Sequence, residues 1–233
     1  MRTLLAVLAL EAGHAISRDD LIEELWAGGA PGNARNALQA NVSRLRRVFA
    51  EAGEPSDAIV LRSVDNGYLL EVPRDSIDCN RFLTLAARGA ALLHTDPLRA
   101  LAVLQEALQL WHGPALLDTH GGLRCQSATA LLDERRLGVW ANVINALLAT
   151  GEEHQAVAEL RRLVTHHPLN EQFHEQLMLA LYRVGRQSDA LDQFHQLRTK
   201  LDEELGLAPA ERLKKLYSEI LTQSHSLLLL RPA

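Results

Sequence analysis

The 233-residue chain is poor in several residue types, and each shortage excludes something. It has two cysteines, Cys79 and Cys125. That is too few for a disulfide framework, and their spacing is not that of a metal site. Both read as ordinary semi-buried thiols in a reducing cytoplasm. Its 14 glycines and 8 prolines are scattered, which excludes low-complexity and collagen-like chains. No apolar run approaches the length of a membrane-spanning helix. The net charge is −5, so no global excess of base draws the protein to nucleic acid. With 47% apolar residues, the charge is also too small for a disordered chain.

What is present is organised. The opening MRTLLAVLAL imitates a signal peptide, but it runs directly into ISRDDLIEELW, which reads as the next element of a folded domain. Residues 2–12 therefore read as a short helix, apolar almost all round through Leu4, Leu5, Val7, Leu8 and Leu10. Such a helix is expected to be covered on every side. A second helix starts at Ser17, an N-cap residue, and runs to Trp26. AGGAPGN breaks it, and a third helix runs from about Asn33 to Ala52. IVLRSV, a turn at Asp65, Asn66 and Gly67, and YLLEV then read as a two-stranded hairpin. Three helices closed by a hairpin outline a winged helix-turn-helix.

Beyond a junction at residues 73–77 the pattern is helical, over 78–94, 96–111, 127–150, 153–166, 170–184, 187–204 and 209–222. An irregular loop spans Gly113 to Gly122. A shift of 34 residues maps Val143 onto Leu177, Leu147 onto Leu181, Gly151 onto Gly185, Ala156 onto Ala190, Leu160 onto Phe194 and Leu163 onto Leu197. That period and pattern are the tetratricopeptide signature, and stacked repeats of this kind hold other proteins. Ala100, Leu104 and Ala107 have the spacing of an earlier unit. The expected fold is mainly α. A winged helix occupies residues 1–77, an all-α repeat domain 78–222, and a leucine-rich tail 223–233.

Charge is segregated within the first domain. Residues 11–24 carry Glu11, Asp19, Asp20, Glu23 and Glu24 against Arg18. Residues 33–50 carry Arg35, Arg44, Arg46 and Arg47 and no acid. On a wheel of 100° per residue, Ala34, Val42, Leu45 and Phe49 fall within about 40° of Leu38. Asn36, Gln39, Ala40, Ser43 and Arg47 fall on the opposite side, flanked by Arg44 and Arg46. Guanidinium and amide groups read guanine and adenine edges in a major groove, and arginines toward the edge clamp phosphates. A solvated helix face is the bland alternative. The hairpin favours the first reading, because Arg62 at its base and Asn66 and Tyr68 near its tip can reach backbone or minor groove. Tyr68 packing on the third helix is the other option for that ring.

These segments resemble a known family. AISRDDLIEELW, ARNALQANVSRLRRVF and the NGYLLEV hairpin look like the winged helix of Streptomyces antibiotic regulatory proteins, which resembles OmpR-type effector domains. IDCNRF, ALQLWHGPAL, HHPLNEQFHEQLMLALYRVGRQSDAL and LDEELGLAP look like the bacterial transcriptional activation domain joined to it. The resemblance implies a cytoplasmic activator of a biosynthetic gene cluster, such as one for an antibiotic. Such an activator binds direct repeats near a promoter −35 element and recruits RNA polymerase through its sigma factor and other subunits. A second copy would sit on the tandem repeat. It places Asn36, Gln39, Ala40, Asn41, Ser43, Arg44 and Arg46 at the DNA-facing positions of the recognition helix, and Tyr68 at the wing tyrosine. Winged helices of this type begin with a small β-sheet, whereas here Met1 nearly opens the first helix.

Other functions find little support. No GxxxxGK segment is present, so no nucleotide cofactor is expected. Glu171 and His174 form an ExxH pair, but a di-iron site needs a second such pair and two further carboxylates. No catalytic constellation stands out, so neither an enzyme nor a metal protein is expected. Trp26, Trp111 and Trp140 read as core. The alternative function is a tetratricopeptide protein–protein adaptor that does not bind DNA.

Overall fold

The structure is a computed structural model that describes residues 1–27, 29–51, 59–119 and 121–227. Its helices are α1 (Arg2–Leu10), α2 (Arg18–Trp26), α3 (Ala34–Glu51), α4 (Asp78–Leu92), α5 (Pro97–Gln109), α6 (Leu123–Thr150), α7 (Glu153–His166), α8 (Glu171–Arg183), α9 (Gln187–Leu205) and α10 (Glu211–Leu221). Its strands are β1 (Ala15–Ser17), β2 (Val60–Val64) and β3 (Gly67–Glu71). Two compact units form: Met1–Thr84 with Ala107–Leu137, and Leu85–Glu106 with Gly138–Ala233. By packing, residues 107–137 thus fold with the winged helix, beyond the sequence junction near 77.

In the first unit, α1 stops at Leu10, two residues before its expected end. The chain turns at Gly13, whose φ of +85° a side chain would strain. The Gly13 amide then donates to the Leu70 carbonyl at 2.9 Å. Ser17 caps α2 as expected, its hydroxyl accepting the Asp20 amide at 3.1 Å. β2 and β3 form the expected hairpin, with Val64 opposite Gly67 and the turn at Asp65 and Asn66.

The short strand β1 was not expected. It pairs antiparallel with β3, Ile16 opposite Tyr68 and Ser17 opposite Gly67, in a three-stranded sheet ordered β1-β3-β2. Gly67 makes that pairing possible, because a Cβ there would overlap the Ile16 carbonyl. The core lies between the sheet and the helices. Leu4, Val7 and Leu8 of α1 meet Leu21 of α2, Leu38, Val42 and Leu45 of α3, and Leu61, Tyr68 and Leu70 of the sheet. The expectation that α1 is covered on every side fails: its inner face is buried through Leu4, Val7 and Leu8, but Leu5 on the outer side is exposed, as is Met1 before the helix.

Helix α6 begins at Leu123, four residues before the expected start, for a reason remote in sequence. The Glu24 carboxylate accepts the Arg124 amide at 2.8 Å, and the Glu24 carbonyl accepts the Gly122 amide at 2.9 Å. A carboxylate at a helix N-terminus satisfies orphan amides and opposes the helix dipole. The Arg124 side chain reaches Glu11 at 3.3 Å and Asp20 at 3.6 Å.

In the second unit the 34-residue register is visible in burial. Val143, Leu147, Ala156, Leu160 and Leu163, and their counterparts Leu177, Leu181, Ala190, Phe194 and Leu197, are all buried. Gly151 and Gly185 both take positive φ, 82° and 78°, where one helix ends and the next begins. Ala100, Leu104 and Ala107 of α5 are also buried, the first two in this unit and Ala107 in the first unit, so the expected earlier repeat does not lie within one unit. The tail reaches Leu227, which is buried and whose carbonyl accepts the Arg183 Nε at 3.1 Å. Residues 228–230 of the leucine run, Ala52 at the expected end of the third helix, and His120 of the loop lie outside the described residues.

Candidate nucleic-acid interface

Helix α3 has the two faces that its sequence spaces out. Leu38, Val42 and Leu45 are each exposed by 2% or less, and Ala34 is buried beside them. Phe49 is half-buried against the same core. Asn36, Gln39, Ala40, Ser43, Arg44, Arg46 and Arg47 are exposed, and Asn41 is half-buried at the edge. One helix thus presents amides, a hydroxyl and a small residue beside guanidinium groups, with its hydrocarbon turned to the core. That composition suits base edges flanked by phosphates.

The arginines of this helix are not equivalent. Arg44 forms no ion pair or hydrogen bond with any described residue, so its five donors are open. Arg46 instead turns to the wing. Its Nε donates to the Leu61 carbonyl at 3.0 Å, and a terminal nitrogen donates to Ser63 Oγ at 2.9 Å. Arg46 therefore ties α3 to β2, a link the helical wheel does not show. Arg47 lies 3.7 Å from Glu51 one turn on, an exposed pair of small energetic weight.

The wing residues differ from their expected placement in two respects. Arg62 is paired across the hairpin with Glu71 at 2.7 Å, so its charge is already partly answered. Tyr68 is 6% exposed and belongs to the core cluster, which takes the packing option of the two that its sequence position leaves open. Asn66 is exposed at the turn, and its carbonyl accepts the Arg18 amide at 2.8 Å. The set is therefore not one continuous surface of free groups. Asn36, Gln39, Ala40, Ser43, Arg44 and Arg47 share the outer face of α3, Arg46 bridges to the wing, and Tyr68 lies behind it.

Two further arginines frame this face. Arg18, at the first turn of α2, holds its guanidinium 5.9 Å from the Tyr68 ring centroid, and its Nε is buried without a hydrogen-bond partner among the described residues. Arg35 pairs with Asp19 at 3.4 Å, linking the start of α3 to α2. In the sequence Arg18 is one base in an acidic stretch, with nothing to link it to the hairpin; the β1–β3 pairing brings it there.

The ExxH pair in the second unit is used structurally. Glu171 accepts the Ala210 amide at 2.7 Å, and both His174 ring nitrogens are engaged, by Pro168 O at 3.0 Å and Gln193 at 2.8 Å. Burial lowers the His174 pKa below its usual value. Burial raises both thiols, Asp78 adding to the effect at Cys79 and Glu24 at Cys125, so neither is an activated nucleophile. Trp111 and Trp140 are half-buried under the guanidinium groups of Arg136 and Arg162, at 4.4 and 4.6 Å, and so are at the edge of the core and not fully inside it. No helix among the described residues is long and apolar enough to cross a membrane.

Comparison with known proteins bears on both modules. Residues 1–70 match the family described as "Transcriptional regulatory protein, C terminal", and residues 77–221 match "Bacterial transcriptional activator domain". The chain is 49% identical to the transcriptional regulator RedD of Streptomyces coelicolor over 96% of its own length and 64% of that relative. It is 37% identical to the regulatory protein DnrI of Streptomyces peucetius, over 94% of this chain and 83% of that one. A solved structure of Mycobacterium tuberculosis EmbR, in complex with a low-affinity phosphopeptide, superposes with a TM-score of 0.85 at 32% identity. That match covers 99% of this chain and 59% of the EmbR chain. The chain thus spans under two thirds of RedD and of EmbR. With an OmpR-type winged helix and an activator domain matched in order, the chain belongs to the Streptomyces antibiotic regulatory protein family of transcriptional regulators.

Proposed function

We propose that this regulator binds duplex promoter DNA in a sequence-dependent way and activates transcription of a biosynthetic gene cluster from the cytoplasm. The observation that carries this reading is the joint exposure of Gln39, Ser43 and Arg44 on a helix whose opposite face buries Ala34, Leu38, Val42 and Leu45. In the groove, Arg44 offers two parallel donors to guanine, and Gln39 and Asn36 offer a donor and an acceptor to adenine. Arg47 and Arg18 at the margins serve phosphates and set register without reading sequence. Arg46 acts on the wing and not on the bases, and Asn66 brings the wing tip to the backbone. Two copies on direct repeats near the −35 element would present two activator domains to RNA polymerase, through its sigma factor and other subunits.

The test is a gel-shift titration of the full chain against duplexes tiling the promoters of neighbouring biosynthetic genes. One duplex is expected to bind in preference to the rest, and its affinity to fall steeply with salt as phosphate counterions are released. Neutralising Arg47 and Arg18 together should flatten that salt dependence. Equal, weak binding to every duplex, with tight binding to a protein ligand, would favour the adaptor reading instead.

A further inference from the structure

The first unit contains a cavity of about 440 Å³ that the DNA-binding face does not use. Its walls are the outer side of α1, the first turns of α4, and the irregular segment from Leu110 to Thr119. Ala6 and Ala9 give it depth on the α1 side, and Ala115 does so from the loop. Trp111 and Phe82 meet edge to face in its wall, ring centroids 5.2 Å apart and planes at 86°. The apolar outer side of α1, which the sequence left without a partner, lines this space. Its inner side, through Leu4, Val7 and Leu8, lies in one core with Leu38 and Val42 of α3.

We propose that this cavity is a binding site for an uncharged, ring-containing, hydrocarbon-rich small molecule. Its volume lies within the range of about 300–1,000 Å³ typical of small-molecule sites. Water is poorly held where few polar groups converge, so an apolar occupant is favoured. The ionisable lining residues besides Cys79 are two acids, Asp78 and Asp118, with Arg2 answering Asp118 at 2.9 Å, and His112, whose Nδ1 is held at 3.1 Å by the Leu110 carbonyl. An anionic ligand therefore meets carboxylates at this site. The Cys79 thiol in the wall stays neutral, its pKa raised by burial and by Asp78. The loop wall is held in a demanding conformation: Leu116 has φ +51°, unusual for a leucine. Its carbonyl accepts both the amide and the hydroxyl of Thr119, at 2.9 and 2.8 Å. Strained residues of this kind gather at ligand sites, where the surrounding structure over-determines them.

The probe is N-phenyl-1-naphthylamine, a neutral two-ring-system dye that brightens on leaving water, titrated into the full chain. Saturable binding of one dye per chain is expected, with energy transfer from tryptophan that falls in Trp111→Phe. Ala9→Phe and Ala115→Phe fill the space from opposite walls, and each should weaken binding about tenfold or more while a cooperative thermal transition persists. Reading two walls, with the Trp111 transfer signal on an otherwise intact cavity, keeps the test decisive if one filled variant fails to fold. The same scaffold carrying a sulfonate, 8-anilinonaphthalene-1-sulfonate, should bind about tenfold more weakly. Absence of saturable binding, filled variants that bind like the parent, or a sulfonate that binds as tightly as the neutral dye would each overturn the proposal. None of these readouts depends on DNA.

Discussion

Helices α3 and α8 are both amphipathic, and both carry amides and charged groups, yet they dispose of them in opposite ways. On α8, His174 and Gln176 are buried. Gln176 donates to the Ala141 carbonyl at 2.9 Å and to Asn145 at 2.8 Å. His174 has both ring nitrogens engaged, and Glu175 reaches Arg212 at 2.6 Å. On α3, Asn36, Gln39, Ser43 and Arg44 face outward. Most polar groups of α8 are used in holding a repeat together, with Gln176 Oε1 buried and without a partner among the described residues, whereas those four of α3 stay exposed to solvent. A polar helix face becomes informative when its neighbours could have satisfied it and do not.

Substitution should separate the two helices by readout. The largest effect is expected from Phe173→Ala on α8, whose ring is 1% exposed. Emptying that site should lower stability by about 3–5 kcal/mol in thermal or urea unfolding. A loss well under that figure would mean the repeat core relaxes around the gap. Next is Arg46→Ala, which removes two charged-donor bonds between α3 and the wing. Unfolding should show a loss of about 1–2 kcal/mol. Duplex affinity should fall evenly across sequences, because the tie to the wing is lost and no base contact is. A selective loss at one base pair would return Arg46 to the reading set.

The smallest effect concerns acid. His174 has its folded pKa pushed below the unfolded value of about 6.5 by burial. The unfolded chain therefore takes up a proton first, and stability should decline as pH falls below that value, levelling off once the folded state also protonates. A stability–pH profile of His174→Gln should lack this limb; an identical profile would assign the acid sensitivity elsewhere.

The helices were legible because their causes are local: period, caps and the repeated Gly151 and Gly185. What was not legible depends on distant partners. Ala15–Ser17 is a strand only because Gly67, some fifty residues later, leaves room for its backbone. Helix α6 starts early because Glu24, a hundred residues before, caps it. At the site, the outer face of α3 followed from spacing alone. The separate fates of Arg44 and Arg46 did not, because nothing in ARNALQANVSRLRR says which guanidinium will find a strand carbonyl. The sequence leaves Tyr68 two options, wing contact or packing, and its burial follows from lying opposite Ile16 in a strand pair whose partners are some fifty residues apart.

The most direct measurement is fluorescence anisotropy of the preferred duplex with Arg44→Ala, run beside thermal unfolding of the same variant. The exposed guanidinium, without a partner among the described residues, predicts a loss of about 1–3 kcal/mol in specific binding, tenfold or more, with discrimination relaxed at one base pair and the melting curve unchanged. Duplex affinity equal to that of the parent would contradict a recognition role for the outer face of α3.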